Sequence, residues 1–307
     1  MAKILDGKWV RDEILKECLP RVTKFRETYG RPPGLAVILA GENPASEIYV
    51  RNKVATCQEL GIHSEKYTPP GTVSNAEVLA LIADLNRRPE IDGILVQMPL
   101  PKQVDSRAAL EAVAPEKDVD GFHPFNTGRL SAGAPGPRPC TPAGGMELLR
   151  RYEIPIQGRR AVIVGRSDIV GKPMALLLLH QHATVTICHS RTRDLAGECA
   201  RADILVAAMG RPAFLGAGFI QPGAVVIDVG INRLTDRAQV ESVFAGNQKK
   251  LAAFEKNGSV IVGDVHPGEA EEIAGAYTPV PGGVGLLTVA MLMVNTIEAA
   301  ERRMAGA

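Results

Sequence analysis

The chain has 307 residues, 45% of them hydrophobic and 4% aromatic, and its 35 Lys and Arg against 34 Asp and Glu leave a net charge of +1. That length exceeds one ordinary core and predicts two domains. The charge balance excludes a general binder of nucleic acid or of membrane surfaces, and so few aromatics leave no base-stacking platform.

Trp9 to Tyr29 reads as a helix closed by Gly30, with Pro32 and Pro33 just beyond. The apolar run Leu35 to Leu39 reads as a buried parallel strand. A loop, Gly41 to Ala45, leads to a second helix with Ser46 as its cap and Gly61 at its end. Tyr49 and Lys53 on it are four residues apart and so share a face. Such a pair is most often a solvated surface. In a crevice poor in water, a lysine beside a tyrosine instead shifts its pKa towards neutrality and moves protons. Val78 to Leu85 reads as a helix. Ile91 to Met98 reads as a strand stopped by Pro99 and Pro101, with Gln97 at its end. Ser131 to Pro142 is rich in Gly and Pro and is the expected domain boundary, and the helix around Met146 to Tyr152 opens the second part.

That second part has a βα rhythm. Strands are expected at Ala161–Val164, Thr184–Cys188, Ile204–Ala208 and Ala224–Asp228, with one more starting at Ile261–Val262 and a helix at Pro173–His180. The alternation predicts an α/β, doubly wound parallel sheet of Rossmann type. Gly165 to Gly171 lies between a strand and a helix, where free backbone N–H groups and the helix dipole favour phosphate. It is not G-x-G-x-x-G, because Ser167 replaces the middle glycine, and by spacing alone a structural turn explains it as well. Ser190, just past the next strand, falls where such folds approach the adenosine ribose. Ser190 with Arg166 and Arg191, and no acidic residue, suits a 2′-phosphate, which favours NADP over NAD. The alternative is that both arginines are solvated. Ile231, past the strand ending at Asp228, is placed to meet the nicotinamide, and Asp228 itself can be a strand-end cap. Leu286 to Met304 is a long helical pattern whose apolar face can return to the first domain, and its most apolar stretch, Leu286 to Val294, is too short to cross a bilayer. Five cysteines without a C-x-x-C pair indicate neither disulfides nor zinc, and the scattered histidines offer no metal site. The charged N-terminus carries no signal peptide, so a cytoplasmic enzyme is expected.

Six segments in order, covering nearly the whole chain, resemble the bifunctional methylenetetrahydrofolate dehydrogenase/methenyltetrahydrofolate cyclohydrolase family. They are Ala45–Lys53, Gly93–Pro101, Lys117–Pro124, Pro139–Pro142, Val164–Pro173 (Val-Gly-Arg-Ser with Val-Gly-Lys-Pro) and Pro279–Gly285. The resemblance implies a folate-binding catalytic domain over residues 1–121, completed by a terminal helix over 286–307, an NADP-binding domain over 140–285, and a cleft between them. It implies that Lys53 serves both steps, that Tyr49 bonds to it and stacks on folate, that Gln97 holds it, and that Asp120 grips the pterin. Gly165, Arg166, Ser167, Ser190 and Ile231 match NADP contacts. It further implies tetrahydrofolate substrates, a homodimer formed through the nucleotide half, and a place in one-carbon metabolism serving purine, histidine and methionine synthesis. Leu286 departs from the family's proline, which would preset the first helical turn. A dehydrogenase lacking the hydrolase, an amino-acid or shikimate-type dehydrogenase and a non-catalytic dinucleotide sensor are the competing readings.

Overall fold

The structure is a computed structural model that describes residues 1–306, and the side chains of all of these except Pro44 and Ala45; Ala307, the end of the expected terminal helix, lies outside the described residues. In chain order the elements are β1 (Lys3–Ile4), α1 (Gly7–Tyr29), β2 (Gly34–Ile38), α2 (Pro44–Leu60), β3 (His63–Tyr67), α3 (Asn75–Arg87), β4 (Gly93–Val96), α4 (Ser106–Ala112), α5 (Pro124–Ser131) and α6 (Cys140–Arg151). They continue as β5 (Arg160–Val164), α7 (Gly171–His180), β6 (Thr184–Cys188), α8 (Leu195–Cys199), β7 (Ile204–Ala207), β8 (Val225–Asp228), β9 (Asn232–Leu234), α9 (Arg237–Val243), α10 (Gln248–Asn257), β10 (Val260–Val262), α11 (Pro267–Ile273), β11 (Ala276–Tyr277) and α12 (Leu287–Ala305). The chain divides into two compact units, one of Met1–Arg11 with Thr141–Thr288, the other of Asp12–Cys140 with the residues from Val289 on.

The first unit is built on a six-stranded sheet, ordered β1-β11-β8-β7-β5-β6, in which every pairing is parallel. β7 is buried at all four positions, and β5 and β8 at all but their first residue, as expected of strands covered on both faces. Their side chains meet Leu215, Ile220 and Val265 in one core. β6 is an edge strand and mostly exposed. Two sequence expectations are corrected here. Residues 1–11 lie in this unit, not with the residues that follow them, because β1 adds to the sheet beside β11; a two-residue strand carries no periodicity to read. The strand expected at Ile261 does not join the parallel sheet. It is β10, paired antiparallel with β9 over a small core of Leu234, Val240, Phe244 and Val260.

The second unit holds a three-stranded parallel sheet, β3-β2-β4. α3 closes over it through Val78, Ile82 and Leu85, starting from a capping box formed by Ser74 and Glu77. α12 buries Ala290, Met293, Ile297 and Ala300, the three- and four-residue spacing of one helical face. By length and composition it could span a membrane, but these residues make it a core helix. Asp92, fully buried, accepts hydrogen bonds from Arg31, from the Gly34 N–H and from Arg303 on α12. The terminal helix is therefore tied to the start of β2. The Leu286 N–H donates to the Gly283 carbonyl in the turn before α12, a bond the family's proline could not make.

Candidate functional site

α2 begins two residues before its expected cap. The Asn43 side chain accepts from the Ser46 N–H at 3.2 Å, so Asn43 is the capping residue and Ser46 lies inside the first turn. Ser46 is buried, and its hydroxyl reaches the Met98 carbonyl at 3.4 Å. Val50, Lys53, Cys57 and Leu60 form the buried stripe of the helix. Lys53 is only 7% exposed.

Gln97 stands one residue past β4, where its N–H donates to the Ile38 carbonyl and prolongs the ladder with β2. Its amide nitrogen donates to the Met98 carbonyl at 2.8 Å, which turns its oxygen towards Lys53. The Lys53 amine donates to that oxygen at 2.9 Å. The contact expected between Tyr49 and Lys53 is not formed: the phenol makes no hydrogen bond to the amine among the described residues, and Tyr49 is 39% exposed.

Asp120 sits on a segment stitched to β4 by the Ile94 N–H to the Lys117 carbonyl and a bridge between Ile94 and Asp118. Gly93 lets Val119 pack closely, since a Cβ there would lie 2.5 Å from a Val119 methyl. The Lys117 amine donates to the Leu85 and Arg88 carbonyls at the end of α3, and burial lowers its pKa to about 8. Asp118 is saturated, taking the Gly121, Phe122 and His123 N–H groups and the Asn126 amide. Asp120 takes no hydrogen bond from the protein among the described residues. Burial raises its pKa to about 6, with the Lys53 charge pulling it back and Asp118 pushing it up. Cys140, also buried, feels the charges of Asp120 and Lys53, and burial pushes its thiol well up. Lys53, Gln97 and Asp120 thus share one site within the three-stranded unit, and Tyr49 lies exposed one turn before Lys53 on α2.

In the six-stranded unit the strand order reverses between β5 and β7, the place where such sheets hold ligands. Gly165, just past β5, has φ +133°, and a Cβ would lie 2.1 Å from the Ala208 carbonyl oxygen past β7. A Cβ on Gly171 would lie 2.2 Å from the Gly165 carbonyl oxygen. Only glycine closes this turn. The Ser167 hydroxyl accepts the Val170 and Gly171 N–H groups, so its lone pairs cap α7 and its proton is left to donate outward. Val164 pairs with Cys188 at the carboxyl ends of β5 and β6, and Arg166 and Ser190 each follow two residues on, past that edge of the sheet. Arg166, Ser167, Ser190 and Ile231 are all exposed. These residues fit a dinucleotide with a 2′-phosphate.

Sequence reasoning missed the carboxylate that holds this edge together. Asp264 accepts from the Met209, Gly210 and Arg211 N–H groups past β7 and from the Asn232 amide past β8. Asp228 takes the Gly230, Asp264 and Val265 N–H groups, so it joins loops instead of only capping its strand. His266 caps α11, and no cluster of potential metal ligands occurs among the described residues.

Family profiles match both parts of the chain. Residues 5–120 match the tetrahydrofolate dehydrogenase/cyclohydrolase catalytic domain, and residues 139–304 match that family's NAD(P)-binding domain. The bifunctional protein FolD of Solibacter usitatus is 62% identical over 303 residues, covering 99% of both chains. That of Koribacter versatilis is also 62% identical over 303 residues, covering 99% of this chain and 98% of its own. The crystal structure of the Campylobacter jejuni FolD methylenetetrahydrofolate dehydrogenase/cyclohydrolase has a TM-score of 0.89 and 41% identity, covering 99% of this chain and 100% of its own. The Trypanosoma brucei enzyme, crystallised with NADP cofactor and an inhibitor, has a TM-score of 0.88 and 37% identity, covering 99% of this chain and 98% of its own.

Proposed function

The chain belongs to the tetrahydrofolate dehydrogenase/cyclohydrolase family, and from that membership we propose that Lys53 is the residue on which both activities turn. The enzyme oxidises 5,10-methylenetetrahydrofolate to the methenyl form with NADP and hydrolyses that product to 10-formyltetrahydrofolate. NADP supplies the hydride acceptor. Asp120, whose carboxylate carries no protein donor, is free to take the two N–H groups of the pterin's amino-pyrimidine edge. Tyr49 offers an open ring face for the folate to stack on. Gln97 accepts one hydrogen bond from the Lys53 amine without adding charge, and the rest of the amine is left for substrate.

The hydrolase step needs a proton acceptor. Water adds its oxygen to the cationic methenyl carbon and gives up a proton, which the Lys53 amine accepts on its nitrogen lone pair. The bond from that carbon to N5 then breaks as the carbinol O–H becomes the formyl C=O and gives its proton to solvent, while Lys53 returns the first proton to N5, so one proton is released overall. In the dehydrogenase step Lys53 orients the folate. In the nucleotide-binding half, Gly165 admits the phosphates, Arg166 and Ser190 take the 2′-phosphate, Ser167 donates its hydroxyl proton, and Ile231 packs against the nicotinamide. A homodimer joined along β6 is part of the same reading; the unpaired, exposed edge of that strand supports it. So are a cytoplasmic location and a place in one-carbon metabolism serving purine, histidine and methionine synthesis.

The observation that carries the proposal is the 2.9 Å bond from the Lys53 amine to Gln97 on the buried stripe of α2, beside Asp120. Lys53→Met keeps the stem and removes the amine. Methenyl hydrolysis is expected to fall by roughly 10²–10⁴-fold. Hydrolysis at the unaltered rate would take Lys53 out of the mechanism.

A further inference from the structure

Asn295 lies on the apolar helix α12 and is 4% exposed. Its side-chain nitrogen donates to the Val119 carbonyl and to the Arg138 carbonyl, both at 2.8 Å, and stands 3.5 Å from the Cys140 sulfur. Val119 immediately precedes Asp120. Gly121 immediately follows it, with φ +72° and so close to the neighbouring segment that a Cβ would lie 2.9 Å from the Pro139 nitrogen. Residues 119–121 and 138–140 therefore run against each other, and one amide bridges them beside Asp120. The same helix touches the Lys53 helix two residues earlier, where the Met293 and Cys57 sulfurs are 3.5 Å apart. Cys57 is one turn beyond Lys53.

We infer that Asn295 is a positioning residue for the folate site, fixing the backbone just before Asp120, and the 138–140 segment against it, relative to the helix that carries Lys53. This rests on the reading of Asp120 as the pterin's partner. Without the amide, the buried Val119 carbonyl keeps only the weak Cys140 thiol donor at 3.6 Å, the part-buried Arg138 carbonyl loses its Asn295 donor, and the 119–121 segment relaxes. A misplacement of about 1 Å in a reacting group can cost on the order of 100-fold. Asp120 would also be better solvated, so its pKa would fall from the raised value that burial imposes.

The test compares Asn295→Leu, Asn295→Ser and Asp120→Asn in the full chain. Steady-state KM for methylenetetrahydrofolate, the pH profile of kcat/KM, and NADP affinity by fluorescence titration are measured for each. Asn295→Leu is expected to raise the folate KM about tenfold or more and to move the acid limb to lower pH, with NADP affinity unchanged. Asn295→Ser keeps one donor and is expected to fall between it and the natural chain; it also carries the test if leucine impairs folding. Loss of folate and NADP binding in equal proportion would overturn the inference, as would an unchanged folate KM. If Asp120→Asn itself leaves the folate KM unchanged, the reading of Asp120 fails. If it raises KM while both Asn295 variants do not, that reading stands and the positioning role falls.

Discussion

Asp118 and Asp120 stand two residues apart in one short run, yet the chain uses them oppositely. Four donors occupy Asp118, three of them backbone N–H groups, and it holds the turn. Asp120 faces its site with no protein donor and a pKa raised by burial to about 6. A carboxylate whose folded pKa exceeds its unfolded one contributes stability that is complete below the unfolded value and lost as pH rises through the folded one. At neutral pH Asp120 therefore costs stability. Asp120→Asn is expected to hold or raise thermal stability, by at most about 3 kcal/mol, while folate binding falls at least tenfold; paired melting and KM measurements check this. The natural enzyme should lose folate affinity as pH drops through about 6, because protonated Asp120 cannot take both pterin N–H groups. Nothing in residue type distinguishes the two aspartates: the resemblance singled out Asp120, and only the hydrogen-bond geometry explains why. Arg166 makes a separate prediction. Arg166→Ala should weaken NADP far more than NAD, with Kd ratios by titration as the measure, since a guanidinium reads only the cofactor that carries the extra phosphate.

Elements were legible where local sequence alone decides them. β2, β5, β7 and β8 are short apolar runs between turns, and α1 ends at its glycine. α4 and α5 went unread because seven or eight residues give barely two turns of pattern. α6 starts at Cys140, inside the stretch read as linker, because Pro142 falls in the first turn, where a missing N–H costs nothing. β1 and β9 depend on partners more than 150 and nearly 30 residues away, which no window contains. Asn295 was hidden for the same reason: on a helix read as apolar, its purpose is set by carbonyls over 150 residues distant. The turn from β5 to α7 shows the converse, a local signal of modest specificity made firm by packing. Gly165→Ala would force a methyl against the Ala208 carbonyl at φ +133°. The expected outcome is at least tenfold weaker NADP binding with a lowered melting temperature, and folate-independent titration of NADP tests it.

At the scale of the molecule, the three-stranded unit is assembled from two distant stretches, 12–140 and the residues from 289 on. Its terminal helix carries Asn295 to the Asp120 segment, Glu301 to Arg21 and Arg303 to Asp92. The Asp92 carboxylate is fully buried, and its two arginine partners keep about a quarter of their side-chain surface, 25% for Arg31 and 23% for Arg303. Removing one partner of a buried ion pair strands the other, and typically costs about 3–5 kcal/mol. The partial exposure of both guanidiniums lets water relieve them, so Asp92→Ala belongs near the low end, at roughly 3 kcal/mol. The loss should also be local. Hydrogen exchange of the variant is expected to speed up in residues 12–140 and 289–306, while 141–288 keep their protection, since the six-stranded sheet has its own core. Equal loss of protection in both units would mean that they unfold as a single cooperative body. Unchanged exchange near β2 and α12 would mean that the clamp on Asp92 contributes nothing to holding the terminal helix in place.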